Sequence, residues 1–470
     1  MNEKTRAGRD RGRIRRRDFV KSSGAALAGG VVFGLAPIPA REALEESSGA
    51  SPLFPVRPSQ DGRIQSYRTL GRTGFRVSDV SFGAALIRET NVVRYAFDKG
   101  MNYIDTAEGY ENGSSERGIR DALRHVDREK IFISTKADMR PRDDKEAVLR
   151  KVRGSLERLG TDYIDAYMMS DVSTAEGLSH PGYHAAIDQL KAEGRVRFTG
   201  ATYHGPEATD QTGMADVLCA AAEDGRFDVL LLVHNFLNHS EGDRIIATAK
   251  ANNVGTTAMK TAPGKLRAEP FDPENLSELY QQYLDLMMRA GQSREAALRE
   301  LQAYSDAQNE FVERTQVFAE RYGIETDEAL RLASIQWVIQ NPDMHTACIS
   351  VWSFDSIDKI VALSGTQLTA PADEFLQRSR SALEGEYCRH GCVECMASCP
   401  FNVPVSNIMR YAYYFDVQGR ERHAMSQYEA LDGTGASPCK DCAGLCAGAC
   451  PYGLDIQRKM LQVHHLLTLA

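Results

Sequence analysis

The chain has 470 residues, 42% hydrophobic, 8% aromatic and 26% charged; this is globular composition, it excludes a disordered or fibrous chain, and the length calls for one large domain with additions. The net charge of −8 is uneven, because nine Lys and Arg fall within residues 1–40 against Glu3, Asp10 and Asp18, which leaves an acidic body without the basic stripe that nucleic acid requires. After residue 40 no apolar run nears the roughly 20 residues of a membrane span, so no span is expected in the mature chain.

The first segment reads Arg16-Arg17-Asp18-Phe19-Val20-Lys21, followed by a weakly apolar small-residue stretch from Ser22 to Leu35. It resembles a bacterial twin-arginine export signal, with the small residues around Ala40 suited to cleavage. The resemblance implies a signal peptide over 1–40 and delivery, already folded, to the periplasm or cell exterior. Residues 41–66, with Ser, Gly and Pro throughout, read as a linker.

From Tyr67 onward, short β-branched or apolar runs alternate with stretches of helical period. The predicted strands are Val80–Gly83, Asn102–Asp105, Ile131–Lys136, Tyr163–Met169, Val196–Thr202, Asp228–His234, Thr256–Lys260 and Thr346–Val351. Eight strand–helix units predict an α/β protein with a (β/α)₈ barrel over 67–375 and put its chemistry at the C-terminal strand ends. The Gly-rich dinucleotide fingerprint of a doubly wound sheet is not found.

Several motifs lie at those ends. Gly100-Met101-Asn102-Tyr103-Ile104-Asp105 runs on to Tyr110 and Ser114-Ser115-Glu116, and Lys136 ends the third strand. Tyr67 to Gly74 precedes them; Asp162 to Asp165, Gly194 to Arg197 and Met259-Lys260 follow. In this order the motifs resemble the aldo/keto reductase superfamily from about Tyr67 to Leu363. The resemblance implies that Tyr110 is the proton donor, Lys136 the ammonium that lowers its pKa, and Asp105 the anchor of Lys136. A free phenol, with a pKa near 10, is otherwise a poor donor at neutral pH. Lys260 and Asn235 are the implied cofactor-binding positions.

Three features depart from that pattern. Ser170 stands where the family carries a histidine at the end of the fourth strand, and a serine hydroxyl is shorter and does not titrate near neutrality. His204 and His234 end the next two strands; ordinary rim histidines are expected, with projection into the mouth as the alternative. Leu231 replaces a glutamine that would meet a nicotinamide, and Ser350 to Phe354 lacks the usual phosphate-binding glycine. NAD(P)H therefore stays open as a cofactor rather than assigned.

Residues 263–326 form an insertion with Leu276, Leu279, Tyr280, Tyr283, Leu284 and Met287 at helical spacing. A lid over the mouth, a hairpin on the barrel side and a partner surface are its three readings.

Residues 383–470 hold eight of the ten cysteines: Cys388, Cys392, Cys395 and Cys399 before Pro400, then Cys439, Cys442, Cys446 and Cys450 before Pro451. Two such runs ending in Cys-Pro resemble bacterial ferredoxins, with disulfides or zinc as alternatives. The resemblance implies two [4Fe–4S] clusters, one on Cys388, Cys392, Cys395 and Cys450, the other on Cys439, Cys442, Cys446 and Cys399. Cys219 and Cys348 lie in apolar patterns and read as core residues. Three functions remain: an exported iron–sulfur oxidoreductase with a small-molecule substrate and a redox partner protein; an NAD(P)H-dependent carbonyl reductase; or a lapsed barrel that carries electrons or binds a partner.

Overall fold

The computed structural model describes residues 62–468 apart from 88, 207–211, 265–270, 290, 304, 307, 308, 310–323, 325, 432 and 434. The export signal expected over 1–40, most of the 41–66 linker and part of the insertion lie outside the described residues.

A short antiparallel hairpin comes first, β1 (Tyr67–Thr69) against β2 (Arg76–Ser78). Eight parallel strands follow: β3 (Val80–Gly83), β4 (Tyr103–Asp105), β5 (Phe132–Asp138), β6 (Ile164–Ser170), β7 (Val196–Thr202), β8 (Val229–Val233), β9 (Gly255–Met259) and β10 (Thr346–Ser350). They pair in sequence order, and β10 returns to β3 to close the barrel. Outside lie α1 (Thr90–Asp98), α2 (Ser114–Leu123), α3 (Lys145–Leu159), α4 (Pro181–Ala192), α5 (Met214–Asp224) and α6 (His239–Ala251). The insertion supplies α7 (Glu278–Arg289), after which α8 (Asp327–Ile339) and α9 (Phe354–Val361) flank β10.

The strands form where both faces can be buried. β8 reads Val-Leu-Leu-Leu-Val with every residue buried, the continuous apolar run of a strand covered on both sides. Helix ends are marked by side chains: Asp144 accepts from the Ala147 N–H, and Ser353 with Ser356 forms a reciprocal cap at α9. The hairpin, which the sequence reading did not resolve into strands, plugs the N-terminal end of the barrel. Its Phe75 stands 5.3 Å from Phe132, which stacks on Tyr103 at 5.2 Å. Its turn requires glycine at 71: φ is +47°, and a Cβ there would lie 2.3 Å from the Gly255 nitrogen.

α10 (Ala370–Leu383) packs on α8 through Phe375, Leu376, Leu330 and Ala333. The C-terminal unit then holds α11 (Val405–Asp416), α12 (Glu421–Glu429) and α13 (Ile456–Thr468) with turns between them, and no strand among its described residues. The ferredoxin likeness therefore lies in the cysteine runs and not in a strand-paired fold: Val405 to Asp416 is a helix with an almost wholly buried surface. The insertion packs against this unit. Tyr280, Leu284, Met287, Ala297 and Leu301 form its own small core, and Tyr283 reaches Phe415 of α11 at 6.0 Å.

Candidate active site at the barrel mouth

Strand register places the first pair. Asp105 pairs with Ser134 between β4 and β5, and Lys136, two residues further on, shares the inward face. Both side chains are buried, and Lys136 Nζ donates to Asp105 Oδ1 at 2.5 Å and to the Thr106 carbonyl at 2.9 Å. The same ammonium lies 5.0 Å from the centre of the Tyr110 ring. Tyr110 is turned toward it by a tight bend in which Glu111, Asn112 and Gly113 are all left-handed, at φ 48°, 53° and 79°. Such strain persists only where neighbours over-determine it. Here Ser115 donates to the Ala84 carbonyl at 2.7 Å, and buried Glu116 accepts from Thr135 at 2.7 Å and Arg158 at 2.5 Å.

The electrostatics correct one expectation. Burial pushes the Tyr110 hydroxyl above its ordinary pKa, and Lys136 pulls it back without prevailing. Tyr110 is therefore a protonated donor at neutral pH, and Lys136 lowers its pKa as expected but by less than burial raises it. Burial also raises the Asp105 carboxyl, with Lys136 opposing. For Lys136 itself burial disfavours charge, but Asp105 and Tyr110 outweigh it and keep it an ammonium.

Ser170 ends β6 half-buried, and among the described residues its hydroxyl makes no hydrogen bond to Asp105, Tyr110 or Lys136. A histidine does enter the mouth, but one strand on. The His204 backbone N–H donates to Asp171 Oδ1 at 2.7 Å, and its Nδ1 accepts from Lys260 Nζ at 3.3 Å. Burial and the cations Lys260, Lys136, Arg410 and Arg420 hold it neutral, which leaves Nε2–H as a donor. The rim expectation thus fails for His204. His234 points away from the mouth, its ring 5.1 Å from Trp337 and against Gly242 of α6.

Lys260 and Asn235 sit together. Lys260 follows β9 in a left-handed conformation at φ 52°, and the Asn235 amide donates to its carbonyl at 2.9 Å. Asn235 Oδ1 accepts from the N–H groups of Leu237 and Asn238 at 3.0 and 2.8 Å, so its amide is engaged within the protein. Leu231 is buried. Asn235 and Leu231 therefore offer a nicotinamide amide no free partner, whereas the Lys260 ammonium has donors to spare.

The C-terminal unit completes the mouth, which the sequence reading missed. Arg410, Tyr413 and Tyr414 share one face of α11 at spacings of three and four. Arg410 pairs with Asp171 at 3.1 Å, Tyr413 donates to the Ala262 carbonyl at 3.0 Å, and the Tyr414 ring lies 5.5 Å from Lys260 Nζ.

All ten cysteines are free. Cys388, Cys392, Cys395 and Cys450 line one small cavity, walled by Val405, Met409, Leu454 and Met460. Cys399, Cys442 and Cys446 lie close enough to Cys439 to raise its thiol pKa, which burial and these neighbours push to about 11. The Val403 and Gly444 N–H groups donate to the sulfurs of Cys399 and Cys442 at 3.3 and 3.4 Å. Among the described residues no three His, Cys, Asp or Glu side chains converge on a point that could hold a single metal ion. Four thiols around an apolar void in the first group, and backbone donors to sulfur in the second, suit a polynuclear iron–sulfur group better than one zinc, whose ligand sulfurs at about 2.3 Å from the metal crowd together. Cys348 is half-buried in β10, and burial and Asp105 keep its thiol protonated.

Fold and site define an α/β barrel with a buried Asp–Lys pair beside a half-buried tyrosine at its C-terminal mouth. The chain belongs to the aldo/keto reductase family, whose profile matches residues 87–375. It is 30% identical over 157 residues to a probable aldo-keto reductase of Glycine max, covering 29% of this chain and 45% of that protein. It is 26% identical over 211 residues to the NADH-specific methylglyoxal reductase of Escherichia coli (strain K12), covering 38% and 62%. The chain thus spans about half the length of such curated relatives. An aldo-keto reductase structure from Bacillus halodurans superposes with a TM-score of 0.47 at 19% identity, over 67% of this chain and 96% of that one.

Proposed function

We propose that the chain is an exported oxidoreductase of aldo/keto reductase type, in which a C-terminal iron–sulfur unit couples electron transfer to redox chemistry on a small molecule at the barrel mouth. The observation that carries this reading is α11, which links the cysteine groups to the mouth. Tyr387, next to Cys388, lies 6.0 Å from His390, His390 lies 4.7 Å from Tyr413, and Tyr413 lies 6.2 Å from Tyr414, ring centre to ring centre. Tyr414 in turn abuts Lys260.

Cys388, Cys392, Cys395 and Cys450 would hold one [4Fe–4S] cluster and Cys439, Cys442, Cys446 and Cys399 the other, each supplying single-electron transfer when bound. The remaining work belongs to the barrel. Tyr110 holds the proton for the substrate oxygen, Lys136 keeps the phenol oriented while Asp105 fixes the ammonium, and His204 offers a second donor. No step is assigned to a nicotinamide.

Anaerobically purified full chain is expected to contain about eight irons and eight acid-labile sulfides. Cys395→Ala should remove about half of both. Protein without iron, or with tight NADPH binding measured by fluorescence titration, would instead favour a nicotinamide-dependent carbonyl reductase. Export is tested separately. Arg16→Lys with Arg17→Lys should retain the chain in the cytoplasm of a bacterial host, and equal periplasmic recovery of this variant and the parent would refute it.

A further inference from the structure

We propose that the mouth takes a carbonyl substrate bearing a carboxylate, gripped between Lys260 of the barrel and Arg410 of the C-terminal unit. This rests on the mouth being the reaction site and adds the substrate's chemical class.

The cations there outnumber their partners. Arg410 is 8% exposed; one of its nitrogens meets Asp171, while its Nε is buried with no hydrogen-bond partner. The guanidinium lies against Gly205, where a Cβ would stand 3.0 Å from Nε. Lys260 is also 8% exposed, and among the described residues no carboxylate pairs with it. Its ammonium touches His204 Nδ1 at 3.3 Å and the Met259 sulfur at 3.8 Å, both weak substitutes for an anion. The Arg420 guanidinium lies 5.5 Å from the same Tyr414 ring that Lys260 approaches at 5.5 Å.

An ammonium buried without a counter-ion is strongly disfavoured. The strain is visible in Lys260, whose pKa falls to about 7 through burial and the nearby Arg410 and Arg420, with only Asp171 opposing. The neutral imidazole of His204 adds no charge. A ligand carboxylate relieves the excess, and a guanidinium with a free Nε–H suits its planar oxygens. Tyr414, against Lys260, lies close enough to Tyr110 for ionisation of one phenol to disfavour that of the other, so the two cations and the Tyr110 hydroxyl share one mouth.

The test is calorimetric titration of the anaerobic full-length protein at pH 8, in two buffers of different ionisation enthalpy. The probes are pyruvate, acetone and inorganic phosphate. Lys260 is mostly neutral at that pH, and a bound carboxylate raises its pKa, so pyruvate binding should take up close to one proton per site. Acetone should give no measurable binding at about 10 mM, roughly the weakest range such titration detects. Lys260→Met removes a buried charge without adding one, so it should fold; it should abolish the proton uptake and weaken pyruvate at least about tenfold. Arg410→Lys, which keeps the charge but loses the fork, should weaken it by a similar factor. The proposal is overturned if folded wild-type protein gives no pyruvate heat, if Lys260→Met binds it unchanged, or if phosphate binds more tightly than pyruvate. Iron-free protein that still binds pyruvate with proton uptake would sink the iron–sulfur reading and leave this one standing.

Discussion

Lys136→Met should destabilise the barrel by about 3–5 kcal/mol, seen as a drop of several degrees in its calorimetric midpoint at pH 7. Among the described residues, the substitution leaves Asp105, which is 4% exposed, with only Ser134 as a side-chain hydrogen-bond partner at 3.3 Å. An uncompensated buried carboxylate protonates, so its pKa climbs further above the unfolded value. The deficit is then smallest below the carboxyl's unfolded pKa and grows as pH rises through the folded one. Adding Asp105→Leu removes the orphaned charge, and the double variant should recover most of the midpoint. Equal midpoints for the single variant and the parent would show that the pair contributes nothing to the barrel.

Tyr110→Phe should lower turnover by about 10² to 10⁴-fold, the usual worth of a positioned general acid. The assay would use reduced viologen as electron donor and pyruvate as acceptor. Iron content and midpoint should not move, because the lost hydroxyl leaves the ring and its contact with Lys136 in place. A merely structural tyrosine would give the opposite pattern, with wild-type turnover and an altered midpoint. His204→Gln should fall between these limits, since a glutamine amide can replace one donor but not the neutral imidazole's reach.

The barrel was readable because each of its strands is a local apolar run, and local periodicity needs no knowledge of distant partners. Val80–Gly83 and Val196–Thr202 have the predicted bounds, and the other six strands shift by one or two residues. Asp105, Lys136 and Tyr110 could be placed because strand ends face the mouth. The hairpin was harder to see: three-residue strands such as Tyr67–Thr69 are too short for alternation to show. The contribution of α11 was hidden for a different reason. Arg410 and Asp171 are 239 positions apart, and nothing near either residue announces the pairing. The direction of the Tyr110 shift also escaped the sequence, since burial of the phenol in the folded mouth outweighs the pull of Lys136. His204 was seen but given the wrong surroundings, because its neighbours Lys260 and Arg410 come from other elements.

The cysteine arrangement has a consequence for how the tail can be divided. Cys450 sits with the first run and Cys399 with the second, so the two half-motifs are interlocked like clasped hands. A chain severed between Cys399 and Cys439 leaves neither quartet whole, and deleting either motif leaves both incomplete. Gain or loss of this module in evolution would therefore proceed as a single unit.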